Sequence, residues 1–386
     1  MKQKTDFKPF KVGTVFNKVK GGPYSVKPKL NYVKIRYPSR LNVMAIDPSK
    51  IATNQNLVYT PGEIILKVKI YKTVSVKINR TGKISITPSS KRLSLVRHSA
   101  ILMQKALNFK EGLEIDVDNK SELRHVGLGS SSGLIAAVVC AVNELFGRPI
   151  SPTNLVQYLA QNHGEEIDNS PKLINPVQCI GGSAAAGLFK GSFIILAGQS
   201  RVIQSMNLDN TYKIMIGIPK DFVELDSKVL LEKELSVINK FINCDKKYGP
   251  AIAYRVLHKV LPAIREDHSL FIEALGIPGP YTNYIEKKIA APKLAELIKL
   301  IGNNKGYFEV ATVYAEPDGK TFESVFQVPM TFGEKIKGEN PKGWNGLIRL
   351  LDEKRAITEY PEEERLYIWN QGYEKIAEFI ALQKRL

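Results

Sequence analysis

Between Arg124 and Gly147 the chain reads RHVGLGSSSGLIAAVVCAVNELFG, in which Gly127, Leu128, Gly129, Ser130, Ser131, Ser132 and Gly133 stand directly ahead of an apolar, small-residue run. The three glycines let a backbone come close to a ligand, and the three serines bring hydroxyls and unpaired amides to a first helical turn. Such a turn attracts anions, because its free N–H groups and the positive end of the helix dipole point the same way. The chemistry indicated is phosphate binding. The plainer alternative is a serine-capped helix whose glycines serve tight packing. No lysine follows the last glycine as a Walker-type loop requires, and the strand, glycine turn and later acid of a dinucleotide site are not arranged here.

Strands and helices must hold that loop. YVKIRYPSRLNV, residues 32–43, reads as strand, turn and strand with Pro38 and Ser39 as the breaker, and EIILKVKIYKTVSVKI, 63–78, continues near period two. LSLVRHSAILMQKALNF, 93–109, has helical periodicity, and GLEIDVDNKSEL after it returns to alternation. Beyond the helix of residues 131–146, SPTNLVQYLAQNHG predicts another, with Ser151 as cap, Pro152 in the first turn and Gly164 at the end. YKIMIGIP, 212–219, reads as a strand, 229–276 as mostly helical and YFEVATVYAE, 307–316, as a strand. The amphipathic EERLYIWNQGYEKIAEFIALQKRL closes the chain as a helix packed on the body.

A chain of 386 residues is too long for one ordinary core, and 44% hydrophobic against 24% charged residues excludes wholesale disorder. The net charge of +17 is concentrated partly in Lys2, Lys4, Lys8, Lys11, Lys18, Lys20, Lys27 and Lys29, against Asp6 alone. These predict a mobile basic arm over residues 1–30. Such charge suits nucleic acid, a polyanionic small molecule, or the lysine bias of a warm habitat. No recognition-helix signature, zinc-ligand spacing or RNP-like aromatic motif supports the first. Cys140, Cys179 and Cys244 lack metal-ligand spacing, which points to a reduced, cytoplasmic setting. No signal-peptide core and no membrane-length apolar run is present, so no membrane is expected.

GLGSSSG with its small-residue helix resembles the second motif of the GHMP kinase superfamily, which includes galactokinase, homoserine kinase and mevalonate kinase. Other stretches resemble one branch, the beta-ribofuranosylaminobenzene 5'-phosphate synthases (beta-RFAP synthases). PSRLNVMAID, 38–47, is similar to that branch's Pro-x-Arg-Leu-His segment, TPGEI, 60–64, to its glycine-rich turn, and HVGLGS, 125–130, to its phosphate loop. GGSAAAGLFKGSFIILAG, 181–198, and LPAIREDHSLFIEAL, 261–275, resemble its Gly-x-Gly-x-Ala-Ala segment and its Leu-Pro-Ala helix. The matches run in order over about 35–315. The chain departs from the pattern at NNKGYFEVATVYAE, which keeps only Gly306 of a glycine-serine loop, at the acidic NHGEEIDNSPK, and in a tail from about 320 without counterpart.

The resemblance implies an α+β GHMP kinase fold: a ribosomal protein S5 domain 2-like N-terminal domain at 31–205, a ferredoxin-like C-terminal domain at 206–320 and a helical extension at 321–386. It implies a transferase that joins phosphoribosyl diphosphate to a small aromatic carboxylic acid through a carbon–carbon bond, releasing diphosphate and carbon dioxide, with Mg²⁺ on the phosphate oxygens. Arg40 is then a clamp on the 5'-phosphate or the acceptor carboxylate, or else an arginine of a solvated turn. Asp47, with Ser131, is the metal position, or it meets the ribose hydroxyls or caps the turn at Pro48. His125 donates to phosphate or holds a proton, or is a packed histidine. Gly181, Gly182 and Ser183 contact substrate. Asp168 resembles the catalytic aspartate of several GHMP kinases, or belongs to a charged loop. Ser131 and Asp168 also suit an ATP-dependent small-molecule kinase of the same superfamily. A third reading is a basic RNA-binding protein without turnover. The helical tail fits a homodimer.

Overall fold

A computed structural model describes residues 8–45, 62–119, 122–168, 170–177, 179–210, 250–266, 268–275, 291–302, 304–316, 318–338, 345–351 and 353–383, with scattered positions between 212 and 247. Asp47 lies outside the described residues, as does most of the strand expected at 212–219. The chain divides into two compact units, Met1–Gly276 and Ile277–Leu386.

The first unit is organised by one long strand. β-Branched residues at near-period-two spacing form β3, Glu63–Asn79, whose Val74 and Val76 are fully buried. It is long enough to pair with β5, Gly112–Asp118, through residues 73–79 and with β8, Phe193–Ala197, through residues 63–66. β2, Tyr32–Ala45, runs antiparallel along β3, while β4, Ile84–Ile86, and β9, Arg201–Met206, close the two ends of the sheet. The turn expected at Pro38 and Ser39 is instead a register shift within a continuous β2. A bulge absorbs the proline's missing ladder donor without reversing the chain, so Arg40 stands on a strand and not after a turn.

Helices α1, Leu93–Leu107, and α2, Ser130–Leu145, pack together, and α2 also meets β2 and α4, Gly182–Leu188. Ala136, Ala137, Val138, Val139 and Ala141 are all but inaccessible, which makes α2 a core helix on nearly every side. α3, Pro152–Gln161, begins at Ser151 as expected but ends before Gly164, which opens β6, Gly164–Glu166. A side chain at Gly164 would stand 2.6 Å from Ile174 and 2.9 Å from Phe10, so close packing and not helix termination calls for this glycine.

That contact also corrects the expected mobile arm. β1, Phe10–Lys11, adds to β7, Leu173–Pro176, in a small sheet with β6. Asn162 receives the backbone N–H groups of Phe16 and Asn17, and Val19 is buried. Apolar residues among the lysines thus dock residues 8–30 on the unit.

In the second unit, β10, Lys305–Ala315, and β11, Thr321–Phe332, form a hairpin extended by β12, Ile348–Leu350. The boundary expected at 320 falls in the turn of this hairpin, so its two strands are one piece. The helix Glu362–Gln383 covers the face bearing Phe326, Val328 and Met330. The described residues of the expected helical extension at 321–386 are therefore sheet and helix together. No helix among the described residues is long and apolar enough to cross a membrane.

Candidate functional site

Gly129, with φ +66°, turns the chain so that α2 starts without any side-chain cap. A cavity of about 280 Å³ opens at that start. It brings together Arg40, His125, Gly127, Gly129, Ser130, Ser131, Ser132, Gly182 and Ser183 from the sequence reading, with Asn42, Glu63, His163, Glu165, Cys179 and Ile180 in addition. Leu128 is buried beneath the loop, Gly133 lies inside the first turn, and Gly181 caps α4.

Three basic side chains reach this helix start. Nε of Arg40 would lie 3.2 Å from a side chain at Gly129, and Nζ of Lys72 2.9 Å from one at Gly133. Arg92 donates through a terminal nitrogen to Ser131 Oγ. Placing cations at the positive end of a helix is electrostatically unfavourable unless anions answer them. Two are answered within the protein: Lys72 pairs with Glu122 at 2.9 Å, and Arg92 with Glu165 at 2.8 Å and Glu166 at 2.7 Å. Among the described residues no carboxylate pairs with Arg40. It donates to the Gly127 carbonyl at 3.1 Å, and its buried Nε has no partner.

Asp168 does not join the cavity. It pairs with Arg124 at 2.8 Å, and its carboxyl is raised chiefly by a hydrogen bond to Asp226. The acid at the serines is Glu165, which accepts from Ser131 Oγ at 2.6 Å and whose pKa is raised chiefly by burial. Both acids belong to the same acidic stretch, but the short strand β6 turns only Glu165 toward the loop. A three-residue strand ahead of Asp168 is what sequence periodicity was too short to reveal. Glu63, buried at the start of β3, accepts from the Gly182 N–H at 2.8 Å and from Asn42. It lay within the TPGEI match and could have been singled out there. Arg92 gave no signal: it owes its place to a left-handed backbone ahead of α1.

The titratable groups are mostly committed. His125 Nε2 lies 3.1 Å from Ser227 Oγ. Burial pushes His163 down to about 3, helped by the charges of Arg92 and Arg40, so it is neutral at pH 7. Burial pushes the Cys179 thiol up to about 11, which keeps it protonated. Of the expected Mg²⁺ positions, Asp47 lies outside the described residues, and at Ser131 a directly held ion would have to displace Arg92. Ser131 Oγ is engaged by Arg92 and Glu165, and among the described residues no group of three His, Cys, Asp or Glu comes together.

Residues 94–183 match the GHMP kinases N terminal domain. Residues 239–372 match the Ham1 family, which supplies a counterpart for the tail that the sequence reading could not place and takes in the helix matched to the Leu-Pro-Ala segment. The chain is 29% identical over 179 residues to the dITP/XTP pyrophosphatase of Saccharolobus solfataricus, covering 45% of this chain and 90% of that protein. It is 31% identical over 166 residues to the dITP/XTP pyrophosphatase of Methanopyrus kandleri, covering 42% and 84%. Among solved structures the mevalonate kinase of Methanococcus jannaschii superposes with a TM-score of 0.41 at 12% identity, over 71% of this chain and 84% of that one.

Proposed function

Because the chain belongs, through its C-terminal half, to the Ham1 family of dITP/XTP pyrophosphatases and carries a GHMP kinase N-terminal domain ahead of it, we propose that its first unit is a transferase using a phosphoanhydride donor, phosphoribosyl diphosphate before ATP. One observation carries this reading: the uncapped start of α2 with Arg40 beside it, unanswered by any described carboxylate. The Ser130 and Ser131 amides and the Arg40 guanidinium are aimed where a departing diphosphate gathers charge, and such donors in a sheltered cavity lower the barrier most.

The choice of donor rests on the proton balance. In the phosphoribosyl reaction the anomeric C–O bond breaks and its electron pair leaves with diphosphate. The acceptor ring forms the new C–C bond at the carbon that bears the carboxylate, and the C–CO₂ electron pair returns to the ring as carbon dioxide leaves. No proton acceptor is needed. A kinase must take a proton from its acceptor hydroxyl; Asp168 is outside the cavity and His163 is too weak a base, so the task would fall to Glu165, which already accepts from Ser131 and pairs with Arg92. The kinase reading keeps one observation in its favour, the Ser131–Glu165 pair beside the loop. The ferredoxin-like arrangement of 206–320 rests on the resemblance alone.

Calorimetry with each donor tests the proposal. Phosphoribosyl diphosphate should bind more tightly than ATP, and Arg40→Ala should weaken it roughly 10- to 30-fold, the worth of a charge-assisted phosphate contact. A clear preference for ATP would establish the kinase instead. For the C-terminal half, the names of its relatives make dITP or XTP the ligand to try. Pyrophosphate release from either nucleotide should be untouched by Arg40→Ala.

A further inference from the structure

Arg92 occupies an unusual place. Its side chain is only 7% exposed, yet it carries a full charge next to the start of a helix that already repels cations. Nε donates to Glu166 at 2.7 Å, and one terminal nitrogen serves both Glu165, at 2.8 Å, and Ser131 Oγ. The other terminal nitrogen is buried with no partner among the described residues, and Arg92 lines an adjoining cavity of about 230 Å³. Ser131 in turn donates its proton to Glu165 at 2.6 Å.

A serine hydroxyl and a carboxylate beside a row of free amides form the oxygen set on which a hard divalent cation settles. Here a guanidinium sits on both oxygens. To bind a metal directly, Ser131 and Glu165 would have to release Arg92, leaving a buried guanidinium with Glu166 alone and both terminal nitrogens without a described partner. Unlike an ion drawn from solution, the guanidinium is covalently held and charged at every working pH.

We infer that Arg92 is the resident cation of the phosphate site, holding Ser131 and Glu165 in place of a divalent ion, so that the loop binds a diphosphate without protein-bound Mg²⁺. This rests on the reading that the α2 start binds diphosphate. Ser131 then acts as a link in the cation's frame, and the loop amides with Arg40 take the phosphate oxygens.

The test is calorimetry of the full chain with inorganic pyrophosphate, in EDTA and in millimolar Mg²⁺, with Gly129→Leu run alongside to assign heat to the loop. Wild type should bind in EDTA, and Mg²⁺ should not tighten it. Arg92→Gln should lose at least about tenfold in EDTA and regain much of it in Mg²⁺, because Ser131 and Glu165 become free for the ion. A Mn²⁺ titration followed by electron paramagnetic resonance, with no phosphate present, should show Mn²⁺ binding in Arg92→Gln that wild type lacks. If Arg92→Gln does not fold, Arg92→Lys answers through the same arms: its shorter side chain lacks the fork that holds Glu166 through Nε while a terminal nitrogen reaches Ser131 and Glu165, and it should bind more weakly than wild type in EDTA. Loop-dependent binding that requires Mg²⁺ in the wild type overturns the inference and leaves the phosphate reading intact. So does an unchanged affinity in a folded Arg92 variant. Absence of loop-dependent pyrophosphate binding under both conditions overturns the phosphate reading itself.

Discussion

Helices α2 and α4 begin alike and end up serving differently. Each starts at a glycine in the left-handed region, Gly129 at φ +66° and Gly181 at φ +99°, and neither has a side-chain cap from its own first residue. Both open on the same cavity. At α4 the N–H of Gly182 is already taken by Glu63, a carboxylate from β3 that is itself held by Asn42. At α2 no carboxylate among the described residues does this, and Arg40 stands beside the open turn with a buried nitrogen that has no described partner. The protein supplies its own anion where a helix end is structural. Where the end is left open beside Arg40, the missing anion is, in the function we propose, the ligand.

The contrast breaks most decisively at Gly129. A side chain there would stand 2.4 Å from Ser183 Oγ and 3.2 Å from Arg40 Nε, and it would also strain the left-handed backbone. Gly129→Leu should reduce phosphoribosyl diphosphate binding by roughly 1000-fold, about 4 kcal/mol, in a calorimetric titration. Normal affinity in this variant would show that the α2 amides are not the ligand's partners.

Acid sharpens the comparison next. Burial holds His98 down to about 4 and His163 to about 3, whereas both titrate near 6.5 in the unfolded chain. Below pH 6.5 the unfolded state takes up protons that the folded state refuses, so stability falls as pH drops from 6.5 toward 4. The His98 share grows to about 3 kcal/mol at the lower limit. Melting temperatures across that range should decline, and less so with diphosphate present, since an anion in the cavity favours protonated His163. An identical decline with ligand would place the anion away from His163.

At α4 the effect should be smaller and of the other kind. Glu63→Gln replaces a charge-assisted cap by a neutral one and should cost about 1 kcal/mol in denaturant unfolding, while leaving donor affinity equal or a few-fold tighter. Ser151→Ala, at the self-capped start of α3, should cost about 1 kcal/mol or less and leave binding unchanged. A loss of affinity in either variant would dissolve the distinction between filled and open helix ends.

The loop, the α2 helix and the strands on either side were legible because their signals are local: glycines with positive φ, serines at a turn, apolar spacing. The bulge at Pro38 was not, since proline and serine read as a turn until pairing with β3 carries the strand past them. The docked N-terminus was masked by its lysines, although Phe10 and Val19 carried the packing signal. At the site, Arg40, His125 and Ser183 stood in motifs, whereas Arg92 and Glu165 meet only through the fold, across 73 residues of sequence. Charge partners set by tertiary approach leave no periodicity to read.

The most direct measurement is a crystal structure after soaking with phosphoribosyl diphosphate. Diphosphate oxygens within hydrogen-bonding distance of the Ser130 and Ser131 amides and of Arg40 are the expected result. An ordered diphosphate elsewhere, with the α2 turn closed by the serine side chains, would contradict the claim that this helix start is kept open for a phosphoanhydride.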